Sequence, residues 1–71
     1  MTITPVQTEK LLTGNYKFSL LSFSMLVTRL KMRYEKDSSP ERLQSCANEI
    51  NTFLQKYGDK MKNDCSIISN L

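Results

Sequence analysis

The chain has 71 residues, ten of them basic and seven acidic, which gives a formal net charge of +3. A chain of this length forms at most one small domain, whose single core supplies only about 3–5 kcal/mol of net stability. The sequence has no histidine and no C-x-x-C pair, which argues against a metal site and leaves oligomerisation as the natural source of additional stability. The mild positive charge is weak evidence for an anionic partner.

The composition also indicates a compartment. The first residues lack the basic segment and apolar run of a secretory signal. The longest uncharged apolar stretch, residues 18–28, has eleven residues, whereas a membrane helix needs about 20. We therefore expect a soluble, cytoplasmic protein with no membrane association and two reduced cysteines.

The first predicted helix covers residues 5–13. Thr4 and Gln7 match a T-x-x-Q capping box, and Pro5 occupies the first helical position, where proline is favoured. Gly14 is well placed to end the helix. Its apolar residues are Val6, Leu11 and Leu12.

The second predicted helix covers residues 16–36, with Asn15 as its N-cap and Asp37 at its end. It carries two apolar stripes on roughly opposite sides, whereas a surface helix needs only one. The first stripe consists of Tyr16, Leu20, Phe23, Val27, Leu30 and Tyr34. The second consists of Phe18, Leu21, Met25 and Met32. Such a helix must be covered on two sides.

The third predicted helix covers residues 40–66 and starts after an N-cap at either Ser38 or Ser39. Its apolar seam has alternating steps of four and three and consists of Leu43, Ala47, Ile50, Leu54, Tyr57 and Met61. At Gly58 the helix either ends in a left-handed cap, with a short fourth helix from Asp59, or continues at a cost of about 1 kcal/mol. Met61, Cys65 and Ile68 stay in phase with the seam, which favours continuation.

Residues 67–71 are predicted to fray unless their apolar side chains dock elsewhere. The predicted fold is therefore all-α, with a short N-terminal helix followed by a long antiparallel helical hairpin. The first helix can cover only part of the second stripe. Ser19, Ser22 and Ser24 flank that stripe and permit the close approach of another helix. We expect a dimeric helical bundle; the alternative is a monomer in which the first helix and the C-terminal tail wrap the stripe.

The sequence contains few residues or motifs of the kinds that carry out catalysis. The chain lacks histidine, a glycine-rich phosphate loop and a G-x-S-x-G motif. We therefore expect no enzymatic activity, no cofactor and no small-molecule substrate.

Three functions remain open. The favoured one is a non-catalytic protein–protein interaction module that acts through Phe18, Leu21, Met25 and Met32, with a second copy or another helical protein as partner. The alternative is a nucleic-acid-associated regulator in which Arg29, Arg33 and Lys36, at i, i+4 and i+7, follow a phosphate backbone. The third is a thiol-based redox sensor that uses Cys46 or Cys65.

Overall fold

The computed structural model of the protein describes residues 1–71 and confirms the prediction of an all-helical fold. A 3₁₀ turn at Gly58–Lys60 separates the last two of the α-helices. These α-helices are α1 at Pro5–Thr13, α2 at Leu21–Lys36, α3 at Pro40–Tyr57 and α4 at Lys62–Ser69. The first three helices contact one another in pairs, and residues 37–39 connect α2 to α3.

Helix α1 begins and ends as predicted. The Gln7 amide N–H donates to Thr4 Oγ1 at 3.2 Å, and the Thr4 N–H donates to Gln7 Oε1 at 2.9 Å, which completes the capping box. Leu11 and Leu12 are buried, and Val6 is exposed. Helix α1 is tied to α2 by the Tyr34 hydroxyl, which donates to Glu9 Oε2 at 2.7 Å. This hydrogen bond is the main reason why the pKa of Tyr34 is raised above its ordinary value.

Helix α2 begins five residues later than predicted, at Leu21 instead of residue 16, and Asn15 does not cap it. Its N-cap residue is Leu20, whose side chain cannot accept a hydrogen bond. Instead, Asp64 of α4 accepts hydrogen bonds from the Ser19 N–H at 2.7 Å and the Leu20 N–H at 3.0 Å. The predicted start was wrong because this distant carboxylate satisfies the backbone donors of a non-helical segment.

Helix α3 begins after Ser39, whose hydroxyl accepts a hydrogen bond from the Arg42 N–H at 3.2 Å. Ser39, and not Ser38, is therefore the N-cap. The predicted continuation through Gly58 was wrong, because the backbone leaves the helical region at Tyr57, with φ −124° and ψ 9°, and at Met61, with φ −115° and ψ 32°. Gly58 is not a left-handed cap either, since its φ of −55° and ψ of −36° are right-handed helical values.

The break at Tyr57 and Met61 allows the end of the chain to return to the core. A straight helix over residues 40–66 would be about 40 Å long, whereas the longest dimension of the molecule is 31 Å. With the break, Met61 and Ile68 are both buried in the core. A continuous helix would carry Ile68 beyond the other helices into water, at a hydrophobic cost of about 1.5–3 kcal/mol.

The C-terminal residues 67–71 are not frayed, because the exception stated in the prediction applies and their apolar side chains dock on the core. Ile68 is buried, and Leu71 is half-buried against the core. The Leu71 carbonyl accepts a hydrogen bond from Lys10 Nζ at 3.0 Å. Docking thus offsets the entropy of an otherwise free terminus.

One cluster of buried apolar side chains joins all the helices and the N-terminal segment. Asn51 of α3 holds that segment by pairing its amide with both backbone groups of Ile3, at 2.7 and 3.0 Å. The cluster consists of Ile3, Leu11, Leu12, Phe23, Leu30, Cys46, Ile50, Leu54, Met61 and Ile68. Both buried residues of α2, Phe23 and Leu30, belong to the first stripe.

Replacing Gly58 with alanine is expected to stabilise the protein. The right-handed helical backbone of Gly58 suits any residue, and a Cβ added there would meet no atom within 4 Å. Alanine lowers the entropy of the unfolded chain, so we expect the free energy of unfolding to rise by about 0.4–1 kcal/mol. Thermal unfolding followed by circular dichroism should show a higher midpoint for Gly58→Ala. A lower midpoint would mean that the turn needs glycine.

Candidate functional site

A row of exposed apolar side chains runs along α2. Leu21, Met25 and Met32 are 72%, 64% and 58% exposed. Thr28, which is also exposed, lies between Met25 and Met32 on the same side of the helix. The four positions 21, 25, 28 and 32 are therefore spaced by four, three and four residues. This spacing keeps them on one side of a helix. We call Leu21, Met25, Thr28 and Met32 the α2 stripe.

The opposite side of α2 explains why the α2 stripe is open. Phe23 and Leu30 are fully buried there, beneath α1 and α3. Helix α4 reaches only the start of α2, through Asp64. The elements that could cover α2 are thus used on its other side or at its end. The C-terminal tail does not wrap the stripe, as it would in the monomeric alternative.

Phe18 does not lie on this surface. The structure brings together three of the four predicted interface residues, and it places Phe18 in the non-helical segment before α2, half-buried against the core. Its ring meets the Phe23 ring edge-on, with the ring centroids 4.9 Å apart. Because α2 starts at Leu21, the helical spacing that grouped Phe18 with Met25 does not apply. Phe18 supports the core from the loop.

A shallow groove borders the α2 stripe on the side of α3. One depression has a volume of about 410 Å³ and is lined by Ser22, Met25, Leu26, Arg29 and Phe53. A second depression of about 350 Å³ continues it along α3 to Tyr57. Leu26 and Phe53 were not among the site residues predicted from the sequence. The only signal was that Phe53 lies beside the seam of α3, where it widens the apolar face.

The charged residues of α2 are unevenly distributed. Residues 21–28 carry no charge, and serines at Ser22 and Ser24 flank the stripe in this half. All five charged residues of the helix follow Thr28, and they are Arg29, Lys31, Arg33, Glu35 and Lys36. The α2 stripe therefore has a neutral, serine-flanked half and a basic half.

Two of the three predicted nucleic-acid contacts form ion pairs with the same carboxylate. Arg29 Nη2 lies 3.2 Å from Glu49 Oε1, and Arg33 Nη1 lies 2.9 Å from Glu49 Oε2. Lys36, in the last turn of α2, is not part of this cluster and forms no ion pair. Glu49 thus offsets part of the positive charge that was expected to face phosphate groups.

The two cysteines are free thiols. Cys46 is buried, and burial, followed by the charge of Glu49, raises the pKa of its thiol. A raised pKa leaves little reactive thiolate at neutral pH. Cys65 is half-buried, and its Sγ lies 4.0 Å from the Gly58 carbonyl oxygen. For Cys46, the nearby Arg42 and Arg33 act in the opposite direction but are outweighed by burial and Glu49, so its thiol pKa stays raised.

Comparison with known proteins gives no further assignment: no family model, no curated protein and no solved structure matches the chain. None of the helices has the length and apolar character required to cross a membrane.

Proposed function

We propose that this protein is a non-catalytic helical interaction module that forms a homodimer through the α2 stripe. The observation that carries the proposal is the alignment of Leu21, Met25 and Met32, each more than half exposed, on one side of a helix. A chain of only 71 residues has few large apolar side chains, and these three lie in solvent and not in the core. Large exposed apolar side chains aligned on one face in this way are typical of interaction sites.

In the proposed assembly, α2 and α3 of each copy form an antiparallel hairpin, and the two α2 helices face each other. This arrangement makes a four-helix bundle with the α1 helices as braces. Each of the apolar side chains Leu21, Met25 and Met32 that becomes fully buried contributes about 1.5–3 kcal/mol for its transfer from water. Methionine suits such a contact because its flexible side chain adapts to irregular surfaces. We also place the protein in the cytoplasm, where its free thiols stay reduced.

The proposed interface is small, because it rests mainly on one helix of 16 residues, about 24 Å long. Interfaces below the standard size of about 1,600 Å² are commonly weak or transient. We therefore expect a micromolar dissociation constant. A helix from a different protein could occupy the same surface, and oligomeric state separates these two occupants.

Replacing Met25 with glutamate is expected to weaken the dimer at least about tenfold, which corresponds to about 1.4 kcal/mol. The new carboxylate would have to leave water upon association, at a cost of several kcal/mol. Because Met25 is 64% exposed, the monomer should fold as before. Light scattering over a range of protein concentrations gives the dissociation constant.

Val6→Glu is the matched control, since Val6 is 66% exposed and lies on α1, away from the α2 stripe. It introduces the same charge, and we expect it to leave dimerisation unchanged. Equal dissociation constants for Met25→Glu and the wild type would exclude the α2 stripe as the interface.

The nucleic-acid alternative, through Arg29, Arg33 and Lys36, has less support. Glu49 pairs with both arginines, and a protein that binds a phosphate backbone usually presents a larger excess of free cations. The redox alternative has less support as well, because burial of Cys46 raises its thiol pKa.

A further inference from the structure

We propose that the occupant of the α2 stripe is the α2 stripe of a second copy, running in the opposite direction. A two-fold axis then passes between Met25 and Thr28. Leu21 of each copy meets Met32 of the other, and Met25 meets Thr28. This inference rests on the proposed dimer and adds its geometry, which follows from the spacing and the charges of α2.

The spacing of the α2 stripe is the same in both directions. Steps of four, three and four residues read identically from either end. A stripe of this kind can face a reversed copy of itself without a change of register, as a two-fold symmetric contact requires. Alternating steps of four and three are also the spacing of side chains that interlock between two helices. An in-register parallel pair satisfies the same spacing, so charge decides between the two.

In a parallel pair the basic halves of the two helices would lie side by side. Lys31 and Lys36 flank the α2 stripe on opposite sides and five residues apart. Residues at this separation meet across the seam of a parallel two-helix contact. Lys31 of each copy would therefore lie beside Lys36 of the other, and these like charges would oppose each other twice.

In an antiparallel pair the basic half of each helix faces the neutral half of the other. Arg29 then lies near Ser22 of the second copy, and Lys31 lies near Ser24. No like charges meet on either flank of the stripe, and the small serines allow the long basic side chains to lie across the contact. The two helix dipoles are also opposed, which is the favourable alignment for neighbouring helices. The electrostatic difference therefore selects the antiparallel arrangement.

Disulfide cross-linking tests this geometry. Leu21→Cys and Met32→Cys are made separately in a Cys65→Ser background, in which Cys46 remains buried. Thiols are oxidised to disulfides by dissolved oxygen with a copper–phenanthroline catalyst, at concentrations where light scattering detects dimer. In the antiparallel pair, Leu21 of one copy lies about 16 Å along the axis from Leu21 of the other, beyond the reach of about 7 Å between Cα atoms that a disulfide allows.

We expect a mixture of Leu21→Cys and Met32→Cys to form a covalent dimer at least about tenfold faster than either variant alone, because only the mixture brings two thiols within reach. Val6→Cys, exposed but outside the stripe, sets the background rate. Circular dichroism confirms that each variant is folded.

Three results would contradict the proposal, and each would contradict a different part of it. Rapid cross-linking of Leu21→Cys alone and of Met32→Cys alone would establish a parallel pair, and would overturn the antiparallel geometry while leaving the proposed interface intact. A dimeric mass with no cross-linking above background would overturn both the geometry and the α2 stripe as the interface. A monomeric mass at every concentration would overturn the proposed dimer itself.

Discussion

Phe23→Ala is expected to leave most of the protein unfolded at room temperature. Phe23 is fully buried, and its ring centroid lies 4.9 Å from that of Phe18 and 5.4 Å from that of Phe53. Truncating a buried phenylalanine to alanine costs about 3–5 kcal/mol, because apolar contact is lost and a cavity remains. A core of this size supplies a net stability of about the same magnitude. Circular dichroism should show a loss of most helical signal.

Phe23→Leu is the control for this substitution. Leucine stays apolar and fills more of the space than alanine, so we expect a smaller loss of stability, a folded protein and a lower urea midpoint. If Phe23→Ala unfolded at the same urea concentration as the wild type, the three rings would not form the centre of the core.

Asp64→Ala is expected to lower the free energy of unfolding by about 2–3 kcal/mol, because two partly buried backbone N–H groups lose their charged acceptor. The side chain of Asp64 is only 1% exposed, and its two oxygens accept from Ser19 and Leu20 directly before α2. The negative charge of Asp64 also interacts favourably with the positive N-terminal end of the α2 helix dipole. Urea unfolding followed by circular dichroism measures the loss.

Asp59→Ala serves as the matched control, since Asp59 is an exposed carboxylate in the neighbouring 3₁₀ turn. Surface substitutions of this type usually change stability by no more than about 0.5 kcal/mol. Asp64→Asn should lie between the two variants, because the amide keeps one oxygen acceptor and turns an N–H group toward a second donor. Equal midpoints for Asp64→Ala and Asp59→Ala would show that the contact does not hold the start of α2.

The features that the sequence predicted correctly are those encoded by neighbouring residues. The Thr4–Gln7 capping box and the start of α3 at Pro40 depend on side chains within three residues of the backbone groups that they satisfy. Local signals of this kind need no knowledge of the rest of the fold. For the same reason the all-helical class followed from spacing alone.

The features that could not be predicted from the sequence depend on contacts between residues that are far apart in the chain. Asp64 is 44 residues from Leu20 in the chain, so no local pattern could indicate that it delays the start of α2. The continuous phase of Met61, Cys65 and Ile68 was also ambiguous. The same side chains are compatible with one long helix and with a broken one, and Met61 and Ile68 are buried in the latter.

The candidate site was predicted in part for the same reasons. Periodicity grouped Leu21, Met25 and Met32 correctly, because all three lie on a real helix. It also included Phe18, because the helix was expected to start before it. Whether the stripe is covered within one copy depends on where α4 packs, and that is decided by long-range contacts such as the one made by Asp64.

The mass of the wild-type protein in solution is the most direct test of the proposed dimer. Light scattering from about 1 µM to 1 mM covers the affinities expected for an interface of this size. We expect the mean mass to rise with concentration from that of one chain, 8.2 kDa, towards twice that value. A mass of one chain at every concentration would contradict the proposal that two copies associate through the α2 stripe.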